Sequence, residues 1–167
     1  MKVIGISGWS GNGKTTLLER LLPVLINHGY SVSTLKHAHH KFDIDKPGKD
    51  SFRHRQAGAT EVMISSAQRW ALMHENRDED EADLQSLISM MTPVDILLIE
   101  GFKKEKFPKI EVWREENGNE PLFQHDDTVV AIATNATGLK TELPILNIND
   151  EREIANFIIS NLVDKAA

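Results

Sequence analysis

The chain of 167 residues has no cysteine, which excludes a disulfide framework and any thiolate metal site. A metal ion would have to be held by oxygen or imidazole. There is no excess of positive charge either: the formal net charge is −6, which argues against generic binding to nucleic acid, because that requires a basic face. No run approaches the roughly 18 consecutive apolar residues of a membrane span. The N-terminus carries no basic segment followed by an apolar signal core, so the expected location is the cytoplasm, with no membrane partner. Internal repeats, low-complexity tracts and linkers are also lacking. With 40% hydrophobic and 26% charged residues, the expectation is one domain over 1–167 with a proper core.

What is present begins almost at once. Gly8-Trp9-Ser10-Gly11-Asn12-Gly13-Lys14-Thr15 fits the phosphate-loop pattern G-x-x-x-x-G-K-[ST] at every fixed position. It lies between Val3 to Ser7, which reads as a buried strand, and Thr16 to Leu22, the start of an amphipathic helix. Small residues let successive backbone N–H groups point inward as a nest for terminal phosphates, and the helix offers its positive end. Lys14 would reach the β and γ phosphates, and the Thr15 hydroxyl would hold a bridging Mg²⁺.

The helix should stop near Gly29, and Tyr30 to Leu35 reads as a second strand, completing a βαβ unit. From Lys36 to Arg55 there are six Lys or Arg, three Asp (Asp43, Asp45, Asp50) and four His. This locally cationic loop leaves the carboxyl edge of a strand, where α/β proteins place ligands. It is read as a second anion-binding surface facing the phosphate loop, with an Asp available to a Mg²⁺ shell or to an attacking water. His37, His39 and His40 show no zinc spacing, and phosphate contact or solvent exposure is expected of them. A short helix capped by Asp50 or Ser51 should follow. Glu61 to Ser65 and Arg69 to His74 read as a hairpin or as successive strands, with Trp70 in core or rim packing. The acidic run Asp78 to Glu81 with Asp83 is placed in the first turn of a helix bearing Leu84, Leu87 and Ile88.

The second strong signal is Val94 to Gly101, a continuous apolar run ending in Glu100 and glycine. This has the form of a Walker B strand, whose terminal acid would stand beside the phosphate loop and bind Mg²⁺ directly or through water. Lys109 to Arg114 reads as a further strand with Ile110 and Val112 on one face and Lys109, Glu111 and Trp113 on the other. It is expected at the edge, in an inserted ribbon at about 103–125 that pairs with another subunit. Thr128 to Ala133 and Pro144 to Ile148 supply two more strands, and Asp150 caps a last helix. The expected fold is α/β, a three-layer P-loop NTPase fold with a mostly parallel sheet and an inserted β-ribbon.

The phosphate loop, the loop from Lys36 through Asp45-Lys46-Pro47-Gly48-Lys49-Asp50-Ser51, and Ile99-Glu100-Gly101-Phe102-Lys103 together resemble the MobB family of molybdopterin-guanine dinucleotide biosynthesis proteins. Ala57-Gly58-Ala59 and Gln68 to Leu72 share the likeness, which covers essentially the full chain. The resemblance implies a cytoplasmic, homodimeric adapter that binds GTP and Mg²⁺ and has weak GTPase activity. Its partner would be a MobA-type enzyme that joins GMP to molybdopterin. In that picture Gly8, Ser10, Gly11, Asn12, Gly13, Lys14, Thr15 and Thr16 hold the nucleotide. Asp45, Lys46, Lys49 and Asp50 would border the nucleotide or the pterin phosphate, and Thr15 and Glu100 would stand at the metal. Lys14, Asp45 and Glu100 are the candidates for catalysis.

Guanine itself is not legible in the residues. The N-K-x-D motif that reads the base in many GTPases has no counterpart, since Thr134-Asn135-Ala136-Thr137 lacks its Lys and Asp. No glutamine is plainly placed to orient water, so hydrolysis should be slow without a partner. The competing reading is a small-molecule kinase, for which only Arg53 and Arg55 could serve as lid arginines.

Overall fold

The computed structural model describes residues 1–38 and 42–163. His39, His40 and Lys41, singled out above, lie outside the described residues. The chain divides into two compact units, one formed by residues 1–37 and 91–167 and the other by residues 38–90.

The larger unit is built on a six-stranded parallel sheet. Strand β1 (Lys2–Ser7) is followed by helix α1 (Lys14–Asn27) and strand β2 (Val32–Lys36). In the smaller unit come α2 (Asp50–Gln56), the strands β3 (Glu61–Ser65) and β4 (Trp70–His74), and α3 (Leu84–Ser89). The larger unit then resumes with β5 (Ile96–Glu100), β6 (Lys109–Trp113), β7 (Val129–Thr134), β8 (Ile145–Asn147) and α4 (Glu151–Ile158). The sheet order is β2-β5-β1-β6-β7-β8, and β3 and β4 form a separate antiparallel pair.

Parallel strands covered on both faces are apolar throughout. Ile96 to Ile99 are fully buried, and one face of the sheet, with Ile4, Ile6, Leu98, Ile110, Val112 and Ala133, packs on Leu17, Leu21 and Leu25 of α1 and on Ile154 and Ile158 of α4. Each of the Val, Leu and Ile side chains among them contributes about 1.5–3 kcal/mol. Asp150 caps α4 as the sequence suggests, accepting from Arg152 N and Glu153 N at 3.0 Å.

Strand β6 departs from expectation. It is no ribbon at the edge: it pairs in parallel with β1 and with β7 in the middle of the sheet, so the inserted ribbon does not lie at 103–125. Its charged side chains are buried and paired. Lys109 donates to Lys103 O at 3.0 Å, Asp126 Oδ2 at 2.9 Å and Thr128 Oγ1 at 2.7 Å. Glu111 accepts the backbone N–H groups of Leu122 and Phe123 at 2.6 and 2.9 Å. Gly5 lies opposite Lys109, and a Cβ there would fall 2.5 Å from the Phe107 ring and 2.8 Å from Lys109 Cγ. Alternation alone cannot tell a solvated charge from one whose partners arrive from a loop farther along the chain.

The ribbon is instead β3–β4, in the smaller unit. Trp70 is exposed rather than packed, and shares its face of the pair with Met63 and Leu72, which are exposed too. Two other details differ. The first residue before α2 is Lys49, with no side-chain cap. The acidic run precedes α3 instead of entering it, and Asp83 alone caps that helix, accepting from Ser86 N at 2.9 Å.

Candidate functional site

Chain geometry shapes the phosphate loop before any side chain acts. Gly8 has φ +137°, and a Cβ there would meet Val112 O at 2.3 Å, so only glycine fits between the loop and β6. Gly13 at φ +92° turns the chain into α1. The loop is then tied down from behind. Asn12, fully buried, donates from Nδ2 to Val112 O at 2.9 Å and accepts from the Asn117 amide, while Arg114 Nε donates to Asn12 O at 3.2 Å. Trp9 Nε1 donates to Glu120 O at 2.8 Å, and Lys103 Nζ stands 4.7 Å over the Trp9 ring. These contacts tie the loop to β6 and to the segment after it.

In front of the loop is a cavity of about 420 Å³ lined by Ser10, Gly11, Gly13, Lys14, Thr15, Thr16, Lys36 and Glu100. Lys14 Nζ donates to Gly8 O and Trp9 O, both at 3.0 Å. Burial is the main cause that lowers its pKa from the ordinary lysine range; Lys103 and Lys36 add to the effect and Glu100 opposes it. Thr15 Oγ1 donates toward Glu100 at 3.4 Å, and Lys36 Nζ lies 3.3 Å from the same carboxylate. Because β5 lies beside β1 in register, Ile6 opposite Glu100, the acid at the end of one strand meets the loop at the end of the other. The oxygens of Thr15 and Glu100 form the hard donor pair that suits Mg²⁺. Past the acid, Gly101 turns at φ +103° against His37, and Phe102 takes φ +48° with its ring 4.6 Å from the His37 ring.

The other predicted site residues belong to the smaller unit. Asp45, its side chain 2% exposed, accepts from Ser51 Oγ and Arg55 Nε, each at 3.0 Å. Arg55 also donates to both oxygens of Asp43 at 2.8 Å and to Glu75 at 3.2 Å. The hydrogen bonds that Arg55 donates to Asp43 and then to Asp45 raise its pKa, and that of Asp43 is lowered in return. Lys46 and Lys49 are exposed. A hollow of about 550 Å³ beside α2 is lined by Asp50, Phe52, Arg53, His54, Gln56 and Ala57.

The structure thus brings Lys14, Thr15 and Glu100 together in one unit, and holds Asp45 in an ion network in the other. Lys36, counted in the cationic stretch expected to face the phosphate loop, does line its cavity, whereas sequence reasoning missed Lys103, Arg114 and Asn117 as neighbours of the loop. The pairing of β2 with β5 sets Lys36 opposite Glu100. For Arg114 and Asn117 no signal existed, because their approach depends on where β6 inserts.

The comparisons with known proteins agree with one another. The family model of molybdopterin guanine dinucleotide synthesis protein B matches residues 3–135. The chain is 43% identical over 160 residues to the molybdopterin-guanine dinucleotide biosynthesis adapter protein of Escherichia coli strain K12, covering 94% of this chain and 91% of that one. It is 31% identical over 170 residues to a probable adapter protein of the same name from Bacillus subtilis strain 168, covering 99% and 95%. The crystal structure of Bacillus subtilis MobB superposes with a TM-score of 0.75 at 29% identity, covering 97% of this chain and 98% of that one.

Proposed function

The chain belongs to the molybdopterin guanine dinucleotide synthesis protein B family, and from that premise we propose that it is a GTP-binding adapter in the biosynthesis of the guanine dinucleotide form of the molybdenum cofactor. In this reading residues 1–167 are a single P-loop nucleotide-binding domain into whose sequence the 38–90 unit is inserted. It binds GTP with Mg²⁺ and assists a MobA-type enzyme that transfers GMP to molybdopterin. It acts in the cytoplasm as a homodimer. The observation that carries the nucleotide-binding part is the convergence of Lys14, Thr15 and Glu100 on one cavity at the phosphate loop.

Each residue has a role that follows from its chemistry. The backbone N–H groups of 10–16 receive phosphate oxygens, and Lys14 leaves its two loop carbonyls to pair with the β and γ phosphates. Mg²⁺, when bound, neutralises charge on those phosphates. Thr15 and Glu100 are the oxygen donors that would hold it, with Lys36 balancing the acid. Asp45 has both carboxylate oxygens engaged by Ser51 and Arg55, so we assign it to holding the 43–55 loop in shape rather than to orienting water. Lys46, Lys49 and the hollow beside α2 are assigned to the pterin phosphate or the nucleotide. In this reading hydrolysis is slow, because among the described residues the lining of the cavity includes no glutamine to orient water.

Arg55, pinned by three carboxylates, does not have the freedom of a kinase lid arginine, which leaves Arg53 alone of the two candidates and so favours the adapter over the small-molecule kinase. The exposed Met63, Trp70 and Leu72 of β3–β4 support self-association, since contiguous apolar patches mark interfaces. The test is calorimetric titration with GTP and Mg²⁺ of the wild type and of Lys14→Ala. Binding lost in the variant with the fold intact is expected, and unchanged affinity overturns the reading. A labelled small-molecule product formed from GTP or ATP at a catalytic rate in a metabolite extract would overturn the adapter role.

A further inference from the structure

We infer that Glu116 and Asn135, at the carboxyl ends of β6 and β7, form the base-reading wall of the nucleotide site and select guanine; this rests on the nucleotide-binding reading above. The sheet order decides the place. β5, with Glu100, flanks the phosphate loop on one side, so terminal phosphates and metal lie toward it. The nucleoside must then extend the other way, over the ends of β6 and β7, because ligands of parallel sheets lie along the carboxyl edge.

A connected set of polar groups stands there. Arg114 bridges the phosphate loop to this wall: its Nε donates to Asn12 O at 3.2 Å, and its Nη1 meets Glu116 Oε1 at 3.4 Å. Asn135 Nδ2 donates to the same Oε1 at 3.4 Å. Thr134 Oγ1 accepts from Ala136 N at 3.0 Å, which shapes the turn that presents Asn135. Glu116 and Asn135 are both exposed, and Glu116 is held ionised by its own backbone N–H first and then by Asn135 and Arg114.

Chemistry supplies the specificity. A carboxylate has about four lone-pair sites, two on each oxygen; Arg114 and Asn135 both meet Oε1, so Oε2 stands open to one guanine N–H and Oε1 takes the second when one of its two long bonds gives way. Guanine offers that pair, N1–H and the N2 amino group. Adenine presents N1 as an acceptor and repels the carboxylate. The side-chain amide of Asn135 is placed to donate toward O6 or N7. The Lys and Asp of N-K-x-D are absent from Thr134-Asn135-Ala136-Thr137, yet a carboxylate and an amide are brought together from the ends of two separate strands.

The experiment compares affinities for GTP, ATP and xanthosine triphosphate, each with Mg²⁺, in the wild type, Glu116→Gln, Asn135→Ala and Lys14→Ala. The wild type should prefer GTP over both others. Glu116→Gln should lose about tenfold or more for GTP and gain for xanthosine triphosphate, because the new amide donates to the O2 that replaces the amino group. Asn135→Ala should weaken GTP without that gain. A GTP to xanthosine triphosphate ratio unchanged in Glu116→Gln overturns the inference. If Lys14→Ala in the same series loses all three nucleotides alike, the nucleotide-binding reading survives that failure. A wild type that binds none of the three overturns both.

Discussion

Replacing Lys109 by Met tests whether β6 is a central strand with a buried ammonium. The side chain is 1% exposed and donates to three oxygens, from Lys103, Asp126 and Thr128. Met keeps the apolar stem beside Gly5 and Phe107, so no cavity cost of consequence is added. What is lost is the charge that Asp126 faces. Removing one partner of a buried pair costs about 3–5 kcal/mol. Asp126 is 23% exposed, so water can reach it and the lower end applies, about 3 kcal/mol. For a chain of this size that is a fall in melting temperature of about 6–12 °C. The double variant Lys109→Met with Asp126→Asn should recover at least half of the loss, since no uncompensated charge is left.

The assay is urea unfolding followed by far-ultraviolet circular dichroism across pH. Burial pushes the Asp126 carboxyl up, but bonds from Thr128 and Lys109 outweigh it and hold the pKa below its ordinary value of 3.8. A depressed acid contributes stability that is present above its unfolded pKa and lost as pH falls through the folded one. The wild type and Lys109→Met should therefore differ most near neutrality and converge in acid. A single variant within about 0.5 kcal/mol of the wild type at pH 7 would refute the buried pair and with it the account of β6.

Two further outcomes are expected. Gly8→Ala places a Cβ 2.3 Å from Val112 O at φ +137°, so the loop must shift off β6; calorimetry should show GTP affinity lost while circular dichroism shows the sheet retained. Glu111 has its pKa raised, chiefly by burial, with the N–H groups of Leu122 and Phe123 opposing; a raised acid costs stability as pH climbs from its unfolded pKa to its folded one, so urea unfolding of Glu111→Gln against the wild type should shift in favour of the variant as pH rises above the ordinary value of 4.5.

Much of the candidate site was legible because the phosphate-loop motif is local chemistry. Gly8, Gly13, Lys14 and Thr15 act through backbone conformations and side-chain reach set within eight consecutive residues, and Ile96 to Glu100 announced a buried strand ending in an acid through composition alone. The strands β3 and β4 were legible, with their pairing left between a hairpin and successive sheet strands, but the exposure of Trp70 was not, because an exposed ring and a buried one leave the same mark in a short alternating strand.

What the sequence by itself determined is therefore the phosphate loop, the helix after it, the acid-ended strand and the α/β class, all of which follow from short-range periodicity and turn chemistry. The tertiary structure decided which strands are neighbours. Pairing of β1 with β6 joins residues about a hundred positions apart, and no local preference encodes that choice. That one insertion buries Lys109 and Glu111, lays Arg114 and Asn117 against Asn12, and carries Glu116 to Asn135. The physical reason is that a charge reads as exposed until its partners are known, and here the partners come from segments that meet only when the sheet closes.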